Sequence, residues 1–554
     1  MHRAINDTMT QADPNSQKQV STIAITLALL AIALFGWQNV IELRAEEPRR
    51  ALISLEMLFS GDYLISHING WVYYNKPPLF NWIMVGFFKI LGSTDTWVVR
   101  LPSLLGFVGL AITHYFFSRK YIGHNAALFS ALACITGIDL LLYASINTGE
   151  IDLLYAFVVY LQAIAIFHFQ QRKEYWRMYL ITYFLTFVGF MLKGLPSLAF
   201  QAITLLFWLS INKQVKKLFH PAHFVGIILL GGLFFSYFYP VSLRAQWEGI
   251  LARQFVEASI RSGLETHWTD TLLQSFINPL RFAQLLLPWS LLLIPIFRFR
   301  DHRRTLMSGI KENPFLTFCA VFIVANIGLY WFTADFKSRY QYMFFPFVLS
   351  LLFYPKGLAA RWYSGAIFMM LMAIAFLALP FIDYFKPVPN IYLKSILVSL
   401  ALSATILLYL KKNKGLIYLI FFMAIVRIGY NETYLRAWAL DDEVNKNIIH
   451  AERILAVTHM DPVYLYATPL LLKNDLSVGP LSFGRVDLKV STLISYQIPY
   501  TISQANGQVV QFREELKSGG FYIAETNLVD TNIYVPLYRF RDTWQKRDYV
   551  LIEP

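Results

Sequence analysis

The chain alternates long apolar blocks with short polar loops. Val20 to Ile41 contains no charged residue, and about 20 apolar residues cross the hydrocarbon core of a bilayer. Read in order, such blocks predict roughly thirteen spans. They fall near residues 21–41, 99–117, 125–146, 151–169, 177–192, 196–212, 223–243, 282–298, 314–333, 343–355, 363–382, 391–410 and 415–430. The first block lies behind a polar N-terminus, is too long for a signal-peptide core and ends without a small-residue cleavage site. It reads as the first transmembrane helix, with residues 1–19 disordered on the cytoplasmic side.

The loops set the orientation. With the N-terminus inside, the inner loops carry Arg119 and Lys120; Arg172, Lys173 and Arg177; Lys213, Lys216 and Lys217; Arg298, Arg300, Arg303, Arg304 and Lys311; Lys356 and Arg361; and Lys411, Lys412 and Lys414. Every inner loop is then basic, as topology requires. The outer segments become 42–98, 147–150, 193–195, 244–281, 334–342 and everything after about 431. Within 42–98, Ala51, Leu52, Leu55, Met57 and Leu58 recur on one face of a helix lying on the membrane surface. Residues 79–91 form a second such helix, and Trp247, Ile250, Leu251, Phe255 and Ile260 mark a third.

The pattern changes near residue 441. DDEVNKNIIHAERILAVTH reads as an amphipathic helix, and PVYLYA, GGFYIAET and DYVLIEP read as short strands. The predicted architecture is an α-helical polytopic membrane protein with outer-face amphipathic helices and a small C-terminal α/β extracytoplasmic domain. Its parts are residues 1–19, a transmembrane domain over 20–430 with its chemistry in loop 42–98, and an outer domain over 431–554.

Composition agrees. The 554 residues are 56% hydrophobic and 15% charged, against about 25% charged in soluble domains. The net charge of +13 lies largely in short loops, so it serves topology and lipid headgroups rather than nucleic acid. The two cysteines, Cys134 and Cys319, sit in apolar blocks, which argues against a disulfide.

The outer segments gather Glu46, Glu47, Arg49, Arg50, Lys76, Glu150, Asp152, Lys193, Arg261, Glu265, His267, Lys337 and Arg339. Charges near a bilayer are costly unless solvated or paired. Acids and cations at one membrane face suit a phosphate-bearing lipid, with cations holding the phosphate and a carboxylate taking a proton. Each residue alone also fits an ordinary role. Lys193 would snorkel from a helix end, Asp152 would sit favourably at a helix start, and His67 and His267 would be polar surface residues. Asp139, mid-span, is a functional position by default. The pattern alone describes a multi-span protein handling an anionic lipid or solute, and a transporter with charges lining its pathway is the reading from another class.

The first outer loop narrows this. It carries Glu46-Glu47-Pro48-Arg49, then Glu56-Met57-Leu58-Phe59-Ser60-Gly61-Asp62-Tyr63, His67-Ile68-Asn69-Gly70 and Lys76-Pro77-Pro78. In order and spacing it resembles the family that contains the dolichyl-phosphate-mannose protein mannosyltransferases and the bacterial aminoarabinose lipid A transferases. Shorter likenesses follow at Asp152, at LKG (192–194), at LPWS (287–290) and at FKSRYQYMFFPF (336–347). Three positions depart from the family: Glu46 replaces the usual Asp, Asn75 precedes the lysine where an acid is common, and Arg50 stands where Tyr is common.

The resemblance implies an inverting C-type glycosyltransferase of the bacterial inner membrane. It would move a sugar from a polyprenyl-phosphate carrier to lipid A, another glycolipid or a protein Ser/Thr. Glu46 and Asp152 inherit catalytic roles. Arg49, Lys76, Lys193 and Arg339 inherit substrate-phosphate binding. Glu47, His67 and His267 are the further candidates for substrate or metal contact. No cofactor is required, and Asn75 weakens the case for a divalent metal. The implied partners are the lipid-linked donor, a lipid or protein acceptor and membrane lipids.

Overall fold

The computed structural model describes residues 14–554 apart from residues 74, 144–145, 246–267, 332–336, 356–362, 412–414, 467–469, 479–480 and 491–493. The chain is a helical multi-pass bundle carrying a small mixed sheet domain. Each predicted span has a helical counterpart. Helix α1 is Pro14–Phe35, α4 Thr96–Ile122, α5 His124–Cys134, α6 Ile151–Gln171, α7 Tyr175–Lys193, α8 Pro196–Ile211 and α9 Pro221–Ser242. After these come α10 (Trp268–Leu285), α11 (Leu293–Arg298), α12 (Arg300–Glu312), α13 (Pro314–Asn326), α14 (Phe345–Phe353), α15 (Tyr363–Ala378), α16 (Ile391–Lys411) and α17 (Leu416–Tyr430). Among the described residues seven helices are long and apolar enough to cross a membrane alone, or eight counting one bent pair. The remaining predicted spans are short or broken.

The breaks have a cause. The third predicted span ends as regular helix at Cys134 and resumes as a π turn over Asp139–Tyr143. The eighth bends by 105° between Leu285 and Trp289, at the LPWS stretch. The two breaks face each other. Gly137 has no Cβ to meet the carbonyl of Leu285, and the Ile138 N–H donates to the carbonyl of Leu287 at 2.7 Å. Backbone groups freed inside a bilayer must find partners within the protein, and here the second break supplies an acceptor to the first.

Helix α6 is the hub. Its most apolar stretch is 78% buried, against 22% for α9 at the lipid-facing rim. Gly106 on α4 lets the two backbones close in, because a Cβ there would lie 2.7 Å from the Leu154 Cα. Small residues at such crossings are how apolar helices pack in a bilayer.

The first loop is ordered. Helices α2 (Glu47–Ser60) and α3 (Leu79–Leu91) lie where the apolar periodicity places them. Asn81 on α3 donates to the Arg50 carbonyl and the Ser54 hydroxyl, both at 2.9 Å. Between them a two-residue turn at Asn69-Gly70, both with positive φ, joins β1 (His67–Ile68) to β2 (Trp71–Val72). Asn-Gly suits that turn because both residues tolerate left-handed backbone. The third predicted surface helix falls mostly on residues 246–267, outside the described residues.

The tail contains α18 (Asp442–Thr458), α19 (Gln497–Asn506) and strands β3 (Val463–Tyr466), β4 (Leu470–Val478), β5 (Leu481–Val490), β6 (Gln511–Arg513), β7 (Phe521–Glu525), β8 (Tyr538–Arg541) and β9 (Asp548–Ile552). The main sheet runs β6-β3-β7-β9-β8, and β4 and β5 form a separate hairpin. The expected helix and the three expected strands are all present. The tail docks on the first loop. Asn69 donates from its side chain to the Val510 carbonyl and accepts at its own carbonyl from the Phe512 N–H. Trp71 stacks on Phe512 at 4.5 Å. Gln497 donates to the Leu43 carbonyl and Tyr500 to the Thr94 carbonyl.

Candidate active site

The site begins at the first turn of α2. Pro48 presets that turn, and the 3.6-residue repeat brings Glu46, Arg49 and Arg50 onto one side. Glu46 and Arg49 form an i,i+3 ion pair, with the Glu46 side chain 38% exposed. Glu47, about 100° further round, faces inward. Its carboxylate accepts from Arg100 Nε at 2.8 Å, from the Gly149 N–H at 2.5 Å and from the Arg44 N–H at 3.0 Å, and both ion-pair partners are fully buried. Glu47 was expected as a candidate for substrate or metal contact. Its burial removes it from any substrate, and it ties the start of α2 to α4 and to the loop before α6.

Four further segments close on this turn. Lys76 follows the hairpin and is held by the double proline that leads into α3. Glu150 and Asp152 stand at the start of α6. Lys193 is the last residue of α7, capped by Gly194 at φ 90°. Arg339 and Tyr340 come from the 3-10 turn Ser338–Phe344. Together with Ile151, these side chains and Glu46, Arg49 and Arg50 line one cleft. Glu46, Arg49, Lys76, Asp152, Lys193 and Arg339, expected from separate stretches of sequence, all face it.

The cleft is held by crossed ion pairs. Lys193 Nζ bonds Asp152 Oδ1 and lies 3.8 Å from the Tyr340 ring centroid. Arg339 reaches Glu150 at 2.5 Å and Asp152 at 3.6 Å. Burial works against the Arg339 charge, but the carboxylates of Asp152 and Glu150 outweigh it and hold the guanidinium above its ordinary range. Five cations meet three carboxylates among the lining residues, so the cleft is positive overall. Its volume is about 70 Å³. At 10–15 Å³ per water on this measure, that is room for about five waters, the scale of a phosphate group rather than of a whole glycolipid.

The other candidates lie elsewhere. His67 sits in β1, half-buried, and burial pushes its imidazole below the ordinary value. It does not line the cleft. His267 lies outside the described residues, as do Arg261 and Glu265. Asp139 accepts a hydrogen bond from the Tyr342 hydroxyl at 2.7 Å, so its partner lies within the bundle. Both cysteines are buried and free. Among the described residues no group of three His, Cys, Asp or Glu side chains converges as a metal site requires, and the carboxylates of the cleft are already bonded to cations.

Sequence reasoning left out Glu150, Arg50 and Tyr340 as site residues. Glu150 stands two positions before Asp152 in GEID, and Arg50 adjoins Arg49. Adjacency was the available signal in both cases, but adjacency also placed Glu47 beside Glu46, where it misled.

Residues 75–241 match the family described as dolichyl-phosphate-mannose-protein mannosyltransferase. An uncharacterized protein of Aquifex aeolicus is 24% identical over 277 residues, 49% of this chain and 52% of that protein. The undecaprenyl phosphate-alpha-4-amino-4-deoxy-L-arabinose arabinosyl transferase 2 of Sodalis glossinidius is 28% identical over 31% of this chain and 32% of its own length. The corresponding transferase of Yersinia enterocolitica is 28% identical over 33% and 34%. The chain thus spans 32% to 52% of the length of these relatives. In fold it is similar to ArnT from Cupriavidus metallidurans bound to undecaprenyl phosphate, with a TM-score of 0.67 at 16% identity over 96% of this chain and 97% of that one. The apo form of the same protein gives 0.65.

Bundle, ordered first loop and docked tail together define a multi-pass membrane protein with a fold like that of ArnT. The resemblance read from the first loop is borne out. The chain is similar to the ArnT transferases in fold and, over about a third of its length, in sequence.

Proposed function

We propose that this protein transfers a sugar from a polyprenyl-phosphate carrier to a glycolipid acceptor, lipid A first among them, at the outer face of the bacterial inner membrane. The N-terminus is then cytoplasmic and the tail domain periplasmic. The observation that carries this reading is the convergence of one half-exposed carboxylate, Glu46, with Arg49, Lys76, Lys193 and Arg339 on a single cleft at one end of the bundle.

The carrier phosphate enters among the cations. The acceptor hydroxyl attacks the anomeric carbon from the face opposite the phosphate. The new C–O bond forms as the anomeric C–O bond to phosphate breaks, and the electron pair leaves with the phosphate oxygen. Glu46 takes the acceptor proton. The donor is a phosphodiester with one negative charge, and the departing monoester carries up to two. A positive cleft therefore stabilises the leaving group more than the bound donor, which is the condition for catalysis. Asp152 positions Lys193 and Arg339. No metal is needed where cations already meet the leaving oxygen. Charges concentrated at one end, rather than along a mid-membrane path, favour an interfacial enzyme over a transporter.

A protein Ser/Thr acceptor is the second reading, supported by the description of the matched family. Mass spectrometry of surface lipids and secreted proteins from a deletion strain tests both. Loss of a sugar from lipid A or another glycolipid is the expected result. Loss from a secreted protein favours the second reading, and an unchanged profile in both sinks the assignment.

A further inference from the structure

Among the described residues three arginines are buried, and two of them have every guanidinium nitrogen bonded. Arg100 bonds Glu47 and the carbonyls of Gln38, Ile41 and Glu42. Arg427 bonds the carbonyls of Ala33 and Leu141 and the side chain of Asn147. Arg50 is only 4% exposed, lines the cleft, and has no carboxylate partner among the described residues; its Nη1 meets no acceptor. Its guanidinium lies 5.6 Å from the Tyr73 ring centroid, and the Tyr73 hydroxyl is also buried without a partner. An aromatic face offsets part of a cation's desolvation but supplies no acceptor to an N–H. Removing a guanidinium from water and leaving a donor unmet is costly, so a buried Arg50 is best explained by an anion that completes it.

We infer that Arg50, backed by Tyr73, is a phosphate contact of the cleft that its own carboxylates do not neutralise. Arg49 and Arg339 also keep a buried Nε without an acceptor, but Arg49, Lys193 and Arg339 each share a carboxylate with which a phosphate must compete, whereas Arg50 has none among the described residues to give up. The inference rests on the glycosyl-transfer reading and deepens it. The ligand chemistry is a phosphate monoester, from either of two sources: the carrier, or a phosphate on the acceptor glycolipid.

The test uses the full chain in nanodiscs, with binding measured by native mass spectrometry. The probes are polyprenyl phosphate, polyprenol, lipid A with its phosphates, and dephosphorylated lipid A. Arg50→Gln is expected to weaken at least one phosphorylated probe roughly 10- to 100-fold, the range for a hydrogen bond to a charged group. It should leave the two neutral probes unchanged, and Arg50→Lys should retain most of the affinity. A loss confined to polyprenyl phosphate assigns Arg50 to the carrier, and a loss confined to lipid A assigns it to the acceptor. Unchanged binding of both phosphates, or equal loss of the neutral probes, overturns the inference. Arg50→Tyr removes the charge while keeping bulk and is read the same way where Arg50→Gln does not fold. If Lys76→Gln loses the carrier while Arg50→Gln keeps both phosphates, only this inference fails. A wild-type chain that binds no polyprenyl phosphate removes the functional reading itself.

Discussion

Glu46 and Glu47 are neighbours with opposite environments, and exchanging each for Gln separates chemistry from architecture. Glu47→Gln replaces one carboxylate oxygen by an NH2 group inside a ring of donors: Arg100 Nε and Nη2, and the N–H groups of Gly149 and Arg44. One donor then faces another, and the fully buried Arg100 loses its counter-charge. Breaking such a pair from one side costs about 3–5 kcal/mol, a large share of the roughly 5–15 kcal/mol that holds a typical domain. Glu46 is 38% exposed and its ion pair with Arg49 is an i,i+3 contact, worth well under 1 kcal/mol. Thermal unfolding in detergent should therefore show Glu47→Gln lowered by several degrees and Glu46→Gln unchanged. In a reconstituted transfer assay Glu46→Gln should be inactive. Removing both charges with Glu47→Leu/Arg100→Met should recover only part of the lost stability. Arg100 also serves the carbonyls of Gln38, Ile41 and Glu42, which an apolar pair leaves unmet. Wild-type stability in Glu47→Gln, or a fully active Glu46→Gln, would refute the division of labour.

Two further outcomes follow from the same loop. Burial pushes the Glu56 carboxyl up to about 7 from an ordinary 4.5, against the opposing N–H groups of Gly70 and Asn69; the protonated folded form therefore contributes stability fully present below pH 4.5 and lost as pH rises through 7. That difference is about 3 kcal/mol, so the melting temperature should fall between pH 5 and pH 8, and Glu56→Gln should flatten the fall; an unchanged slope in the variant would show that Glu56 is not its source. Trp71→Ala removes the stack on Phe512, worth about 0.5–1.5 kcal/mol beyond area, and should speed limited proteolysis of the tail; a cleavage rate equal to wild type would mean that this contact does not hold it.

Much of the bundle was legible because apolar length and loop charge are local signals. Helix α3 was read from residues 79–91 and appears as Leu79–Leu91. The breaks were not legible: Gly137 and the LPWS stretch were visible separately, but their mutual hydrogen bonding is a contact across some 150 residues of chain. The hairpin at Asn69-Gly70 had a turn signal in the sequence and was passed over, because its strands are only two residues each. The cleft residues were found through the resemblance, since Lys76, Asp152, Lys193 and Arg339 share no periodicity. Glu47 was misplaced because a pair of acids says nothing about which one turns inward. The docking of the tail depends on Asn69, Trp71 and Phe512 meeting in space, and no local pattern announces it.

Arg427, on the last helix of the bundle, bonds the Ala33 carbonyl of the first helix, the Leu141 carbonyl, and Asn147 just ahead of Glu150. The bundle thus fastens its first helix to its last beside the cleft. During synthesis α2, α6 and α7 emerge early and Glu47 can already hold Gly149, but Asn147 lacks its Arg427 partner until residue 427 has entered the membrane. A ribosome-bound intermediate that has passed residue 339 would hold every cation of the site while this last fastening is still missing. Nascent protein should therefore bind lipid carriers more weakly until residue 427 is in place.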